Sequence, residues 1–362
     1  MKILTITCHE VYNHGASLQE YALLYYLNSL GHNAEAVHYK PPYLSGHFSL
    51  WTVSNPKYKK PLIKQLYLLA KLPVRLKDLP RKNAFDAFAK MNIPTDKTLY
   101  VSNEELKANL PQADAYICGS DQIWNSFFKN GKDPAFYLDF VPENCLKISY
   151  AASFAIDELH EEIKPFVKEK VDLLDNISVR ETSGVRLLND LGVKDVTQVL
   201  DPVFLLDASH WERFIEPINE KYIFIYDFDS NPLIKKIALE LKKEKKCKIF
   251  TVNKNINYAD KNYYLEGPEN YLSLMYHADF VLTNSFHSVA FSLIFEKQFI
   301  VVNRKDKINT RMRDLLSLFD LNNLIGKYSE FQMVKENDYE IINPRIEKEI
   351  TKSRFFLIES LK

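Results

Sequence analysis

Short apolar runs alternate with helically spaced segments along nearly the whole chain. Lys2–Thr7 reads as a first strand. Leu18–Leu30 follows with Leu18, Tyr21, Ala22, Tyr25 and Leu27 on or near one helical face; Gly31 stops it, and Ala34–Tyr39 reads as the next strand. Such a βαβ opening predicts a parallel sheet. Ala115–Cys118, Lys147–Ala152, Asn176–Val179 and Thr197–Leu200 read as four further strands. Each delivers polar, charged or small residues at its carboxyl end: Gly119-Ser-Asp-Gln122, Ser153, Arg180-Glu181 and Asp201-Pro202. Ser102 and Glu105 stand in capping-box spacing at a helix start.

The alternation pauses over Asp207–Pro217 and restarts at Tyr222–Tyr226, with a helix over Leu233–Lys243, a strand at Lys248–Val252 and a helix over Glu269–Tyr276. Phe280-Val-Leu282 is strand-like, Thr283-Asn-Ser285 supplies cap-forming side chains, and a helical apolar pattern leads to the strand Phe299–Val302. His287 therefore falls in the first turn of a helix that follows a strand. In open α/β sheets ligands collect outside the carboxyl ends of strands, where helix N-termini offer free N–H groups and partial positive charge. A histidine there meets anions and titrates near neutral pH; its alternative role is capping or packing.

At 362 residues the chain exceeds one ordinary core, and two domains are expected. We divide it into residues 1–206, 207–343 and a C-terminal helix in 344–362 that packs back on the first half, with helical pattern over Ile350–Leu361. Lysine plus arginine equals aspartate plus glutamate, 47 against 47, so no basic field points to nucleic acid. The four cysteines are scattered without a CxxC, which fits a reducing cytoplasm and neither a disulfide framework nor a zinc site. No stretch reaches the ~18 apolar residues that span a bilayer.

One region departs from this average. Within a basic insertion at about residues 46–95, the stretch from Lys57 to Lys82 sets Lys57, Lys59, Lys60, Lys64, Lys71, Arg75, Lys77, Arg81 and Lys82 against the single acid Asp78, interleaved with leucines. This is the composition of a basic amphipathic helix at an anionic membrane surface; the plainer expectation is a solvated edge. Pro56, Pro61, Pro73 and Pro80 predict an irregular insertion here rather than one long helix.

Several motifs fail on inspection. Only Gly15 stands in the first turn, so there is no GxGxxG; His9-Glu10 with His14 is one residue too long for a zincin helix; neither a P-loop nor a G-x-S-x-G elbow is present. Asp227-Phe-Asp229 is a DxD after a strand. It offers a divalent ion a site, although two acids in a turn are common. The remaining candidates are Arg180 at a strand end, Arg311 and Arg313 before a helix, and Asp121 in a Gly-Ser-Asp-Gln turn. An arginine fork at such an end suits a carboxylate or phosphate; elsewhere these residue types serve as surface ion pairs and caps.

Taken together, seven stretches carry a resemblance. They are Asn13-His-Gly-Ala-Ser-Leu-Gln-Glu-Tyr-Ala-Leu23, Gly119-Ser-Asp-Gln-Ile-Trp-Asn125 and Lys147-Ile-Ser-Tyr-Ala-Ala-Ser-Phe154, then Ile177-Ser-Val-Arg-Glu-Thr-Ser-Gly184, Leu200-Asp-Pro202, Ala278–His287 and Asn309-Thr-Arg311 with Asp314-Leu-Leu316. In this order and spacing the chain resembles the polysaccharide pyruvyl transferase family. The resemblance implies a GT-B-like α/β fold, with two Rossmann-like domains facing each other across a cleft. It also implies phosphoenolpyruvate as donor, transfer of pyruvate as a ketal onto two hydroxyls of a surface-glycan sugar, and release of phosphate.

By motif matching, Arg180, His287 and Arg311 are its donor-site residues. We add Asn284 and Ser285 beside the donor, Asp121 as a general acid/base, and Asn13, Gly15 and Gln122 toward the acceptor. No metal and no cofactor beyond phosphoenolpyruvate as co-substrate is expected. The expected partners are phosphoenolpyruvate and a free or lipid-linked glycan, with cytoplasmic placement and peripheral contact at the inner membrane face. Two positions depart from the family pattern: Ser288 stands for its glycine after the histidine, and Ala155 where a glycine is expected. Two other readings remain open from the residues, a nucleotide-sugar glycosyltransferase and a catalytically silent glycan-binding protein.

Overall fold

Strands whose central members are buried on both faces build two parallel sheets. The computed structural model describes residues 1–44, 53, 58, 60–305 and 309–362; Pro56, Lys57 and Lys59 of the basic insertion lie outside these. The first sheet holds β1 (Lys2–Ile6), β2 (Asn33–Ala36), β3 (Ala115–Cys118), β4 (Leu146–Ala152), β5 (Asn176–Val179) and β6 (Val196–Gln198), ordered β2-β1-β3-β4-β5-β6. The second holds β7 (Tyr222–Tyr226), β8 (Lys248–Thr251), β9 (Lys261–Asn262), β10 (Phe280–Thr283), β11 (Phe299–Val302) and β12 (Leu324–Ile325), ordered β12-β11-β10-β7-β8-β9. Every strand pair is parallel. Runs such as Tyr-Ile-Phe-Ile-Tyr in β7 and Phe-Ile-Val-Val in β11 are wholly buried, as helix-covered parallel strands require.

The helices of the first half and the connection are α1 (His14–Ser29), α2 (Pro61–Asn92), α3 (Asn103–Ala108), α4 (Lys164–Val171), α5 (Thr182–Asp190) and α6 (Ala208–Glu212). Then come α7 (Pro232–Lys245), α8 (Pro268–Tyr276), α9 (Phe286–Ile294), α10 (Thr310–Leu318), α11 (Tyr328–Phe331) and α12 (Tyr339–Ser360). The strand order reverses between β1 and β3 in one sheet and between β7 and β10 in the other. Reversals of this kind open a crevice at the strand carboxyl ends. At the first crevice Gly15 opens α1 and Asp121 follows β3, and His287 lies in the first turn of α9 after β10.

Three expectations need correction. The basic stretch is expected as an irregular insertion rather than one long helix, yet residues 61–92 form the continuous helix α2 with Pro73 and Pro80 inside it. A proline in a helix costs about 3 kcal/mol, but the helix is anchored where Arg81, Phe85 and Phe88 are buried. Tyr25, expected on the apolar face of α1, is 38% exposed. α1 instead buries residues all round its first two turns and beyond, including Gln19 and Glu20, because it lies in the seam between the halves. The C-terminal helix is longer than its apolar pattern, starting at Tyr339. It docks on the first half: Leu200 N–H donates to Ser353 Oγ (2.8 Å) and Arg354 Nη2 to the Leu205 carbonyl (2.7 Å).

The halves are locked by polar contacts as well as by a shared apolar core that runs from Leu18 and Tyr21 through Trp211 to Tyr271 and Phe291. His14 pairs with the Tyr226 hydroxyl and the Glu266 carbonyl, each at 3.2 Å. Ser183 N–H donates to Asp314 at 2.8 Å, and Arg313 forks onto Asp157 at 2.8 and 3.0 Å. Among the described residues no helix is long and apolar enough to cross a membrane.

Candidate active site

Four chain segments that end or begin at the cleft meet at one buried carboxylate. β6 runs out into Asp201, whose Oδ1 accepts from Val203 N–H (3.1 Å) and so caps the short turn Pro202–Leu205. That fixes Oδ2, which accepts from Ser120 Oγ at 2.9 Å and from Arg180 Nη1, the latter in a short contact. Arg180 is held at the end of β5, its own N–H donating to the Ala152 carbonyl at 3.1 Å. His287, one residue into α9, brings Nε2 to 3.6 Å from the same oxygen, within ion-pair range but beyond hydrogen-bond length. Asp201 is fully buried. Burial opposes its ionisation, but the His287 and Arg180 charges outweigh it and hold the carboxyl well below the usual carboxylate range.

A second layer comes from the facing half. Arg311, in the first turn of α10, places Nη1 3.7 Å from Asp121 Oδ1, while Arg180 Nη2 stands 3.9 Å from the same atom. Both guanidinium groups lie over the Phe286 ring, at 4.3 Å for Arg180 and 5.5 Å for Arg311. Burial and the nearby Arg180 charge push Arg311 down to about 10. Two like charges on one ring are costly unless an anion joins them. Arg180 Nε and Nη2, Arg311 Nε and His287 Nε2 are moreover buried without a hydrogen-bond partner. Each such buried orphan costs about 1–3 kcal/mol. The cluster is therefore built around donors aimed at something it does not itself supply.

Glu181, next to Arg180, is buried too. Its Oε1 accepts from Ser153 Oγ (2.9 Å) and Ala155 N–H (2.7 Å), and burial pushes its carboxyl up despite the Arg180 charge. Asp121 sits at φ 73°, a left-handed conformation that L side chains rarely adopt. Its carbonyl accepts from Ile123 and Ser153 N–H, which fixes the turn.

The structure thus brings Arg180, His287, Arg311 and Asp121 together, and treats the remaining candidates differently. A Cβ built on Gly15 would lie 2.0 Å from His287 Nδ1, so Gly15 is the floor on which the imidazole rests. Asn13 caps α1, its Oδ1 accepting from Ala16 N–H at 3.2 Å. Gln122 is used by Asn125, whose Nδ2 donates to its Oε1 at 2.9 Å. Asn284, expected at the donor, spends both amide hydrogens on Asp227 (2.9 Å) and Asp229 (2.7 Å) and accepts from Phe228 N–H. It braces the turn after β7 and has no donor left for a ligand. Ser285 is the N-cap residue of α9 but makes no side-chain capping bond.

Both departures from the family pattern have a local explanation. Ser288 is buried on the core side, its Oγ meeting the Tyr271 hydroxyl at 3.2 Å. Ala155 holds φ 56°, where glycine would sit without strain.

Sequence reading missed Asp201, Ser120, Glu181 and Phe286 as site residues. The available signal was Asp201-Pro202 immediately after an apolar run; nothing local marks the other three.

The DxD is not a ready metal site. Asp227 accepts from Asn231, Asp229 and Asn284, and Asp229 from Asn284 and Lys305 N–H. Among the described residues one other group has metal-like spacing, His9, Glu10 and His38. There His9 Nδ1 meets Glu20 at 2.7 Å and Lys40 pairs with Glu10, so the charges are already matched.

Beside Arg311 the cleft widens to a cavity of about 630 Å³ between the halves. Phe127, Asp157, Glu158 and His160 line one wall, and Asn303, Thr310 and Arg313 the other.

A family model described as polysaccharide pyruvyl transferase matches residues 13–306. No curated protein matches the chain in sequence. Among solved structures, UDP-GlcNAc 2-epimerase from Neisseria meningitidis bound to UDP-GlcNAc is similar with a TM-score of 0.50 at 12% identity, over 100% of this chain and 99% of that one. UDP-N-acetylglucosamine 2-epimerase from Rickettsia bellii is similar with a TM-score of 0.51 at 12% identity, over 100% and 96%. The S. aureus MnaA-UDP co-structure is similar with a TM-score of 0.50 at 12% identity, over 96% and 91%. At such identity the likeness concerns fold alone: a two-domain α/β architecture of GT-B type.

Proposed function

Because the chain belongs to the polysaccharide pyruvyl transferase family, we propose that it transfers pyruvate from phosphoenolpyruvate onto a sugar of a cell-surface glycan or its precursor, as a ketal, releasing phosphate. The observation that carries this reading is the pair of buried guanidinium groups on Phe286 with unpartnered N–H donors. Phosphoenolpyruvate bears a carboxylate and a phosphate on three carbons. Two arginines lying over one ring, with the N-terminus of α9 beside them, suit such a pair of anionic groups.

The reaction needs four events. A proton adds to the enol methylene carbon, a sugar hydroxyl attacks the adjacent carbon, phosphate leaves, and a second hydroxyl closes the ketal. Of the two hydroxyl protons released, one balances the new methyl group and the other leaves with phosphate. Positive charge develops at the attacked carbon, and the Asp121 carboxylate between the two arginines is the anionic wall for it. His287 exchanges a proton through Nε2, and Asp201 behind it stabilises the charged imidazolium. Asp201 is thus a positioning residue for both His287 and Arg180. The acceptor sugar enters from the cavity lined by Phe127 and His160. No step requires a metal or a nucleotide.

The alternative of a nucleotide-sugar glycosyltransferase would call on Asp227 or Asp229 to hold a ribose or an ion, and both carboxylates are committed within the turn. The deciding experiment incubates the protein with phosphoenolpyruvate and a panel of free and lipid-linked glycans. The proposal expects phosphate release with a mass gain of one pyruvate ketal on the glycan. Transfer from a nucleotide sugar with release of nucleoside diphosphate would replace it. Glycan binding without turnover of any donor, unchanged in Arg180→Ala/His287→Ala, would establish the silent binding role.

A further inference from the structure

The first twenty residues of α2, about 30 Å of helix, carry a surface that the fold leaves uncovered. Leu62, Leu66, Leu69 and Leu76 are 77%, 67%, 66% and 48% exposed. Their spacing, with Pro73 completing the series, is four, three, four and three residues, so they form one stripe along the helix. Lys64 and Lys71 lie on the opposite side of the cylinder. Between residues 60 and 82 seven cations face one acid, Asp78, in a chain of zero net charge. The second half of α2 behaves differently. Arg81 donates to the carbonyls of Tyr264 (2.5 Å) and Tyr12 (3.2 Å), and Phe85 packs on His14 at 4.9 Å. The helix is thus rooted in the seam of the cleft, close to Gly15, and its leucine-bearing half projects from there.

We propose that residues 61–80 form an arm that lies on an anionic phospholipid surface, leucine stripe inward, and holds the mouth of the cleft at the membrane. Charge favours this occupant. The helix is about 10 Å across, close to one Debye length at physiological salt. Cations on its far side therefore still feel the surface potential, and lysine stems extend toward the headgroups. The helix is too polar to span a bilayer, so it lies on the surface. A second copy of this chain fits less well. A coiled-coil seam would have only two heptads here, with Pro73 at a packing position and no complementary charges beside it.

The test does not depend on the reaction proposed above. The full-length protein is floated with vesicles of phosphatidylcholine alone and of equimolar phosphatidylcholine and phosphatidylglycerol. The expected result is binding to the anionic vesicles only, weakening as salt rises. Leu62→Gln/Leu66→Gln/Leu69→Gln should reduce it on the order of a hundredfold, and Lys64→Glu/Lys71→Glu, whose charges lie about one Debye length from the surface, by about several-fold, with melting temperature unchanged. These side chains are exposed, so both variants should fold. Failure of the wild type to bind anionic vesicles would overturn the proposal, as would equal binding by both variants. So would a dimer that the leucine variant dissociates while vesicle binding stays the same.

Discussion

Gly15 and His287 belong to opposite halves of the molecule and touch: a Cβ on the glycine would fall 2.0 Å from Nδ1 and 2.1 Å from Cγ of the imidazole. The start of α1 is thereby a template for the ring. Gly15→Ala must displace either α1 or His287, and overpacking of this kind costs about 1–3 kcal/mol. We expect a melting temperature lowered by several degrees and a larger loss in turnover than in stability. A Gly15→Ala protein that released phosphate at the wild-type rate would remove the ring from the mechanism.

Asp201→Asn keeps the shape but takes from buried Arg180 its one hydrogen-bonded counter-charge, with Asp121 and Glu181 no nearer than 3.9 and 4.0 Å. Breaking a buried pair from one side costs about 3–5 kcal/mol, so the variant should melt far below wild type at neutral pH. The pH dependence has a definite sign. The folded pKa of Asp201 is depressed, so its contribution is present above the ordinary carboxylate value, about 3.9, and is lost as pH falls through the folded value. Denaturation curves of the two proteins should therefore converge in strong acid. A gap of constant size across pH would show that the charge is not what Asp201 contributes.

His9 supplies a separate alkaline signature. Burial alone would discharge it, but Glu20, with Glu10, raises it from 6.5 to about 10. A raised pKa stabilises fully below 6.5, and that stability is lost as pH rises through about 10. The wild type should lose stability across this window more steeply than His9→Gln. Parallel curves for the two proteins would rule out the buried His9–Glu20 ion pair.

The acids after β7 should behave as architecture. Asp229→Asn disturbs the bonds to Asn284 and Lys305 N–H, so it should lower the melting temperature by a few degrees. Chelation with EDTA should leave phosphate release from phosphoenolpyruvate unchanged. Activity lost to EDTA and restored by a divalent ion would reopen the metal reading of Asp227 and Asp229.

Strand positions were the most legible part of the sequence. Ala115–Cys118, Asn176–Val179, Tyr222–Tyr226 and Phe299–Val302 have the same bounds in the fold as in the apolar pattern, because strands covered on both faces leave little choice of residue. The convergence of Arg180, His287, Arg311 and Asp121 followed from their places at strand and helix ends. Asp201 escaped because its value is relational: the Asp-Pro step shows a cap, and only folding shows that Arg180, Ser120 and His287 meet the same oxygen. Asn284 misled for the converse reason, since its place after β10 suits a ligand while its partners Asp227 and Asp229 follow β7, three strands earlier in sequence. The prolines of α2 signalled a break that tertiary anchoring at Arg81, Phe85 and Phe88 overrides.

The central claim is that two arginines from opposite halves hold one small dianion. Calorimetric titration of phosphoenolpyruvate into the wild type and Arg311→Ala tests it most directly. Arg311 stands 3.7 Å from Asp121 and 5.5 Å from the Phe286 ring, with its Nε making no hydrogen bond, so its loss should lower the melting temperature modestly and leave a folded protein. The account predicts saturable binding, one molecule per chain, weakened on the order of a hundredfold in the folded variant. No binding by the wild type, or equal affinity in a folded Arg311→Ala protein, would contradict it.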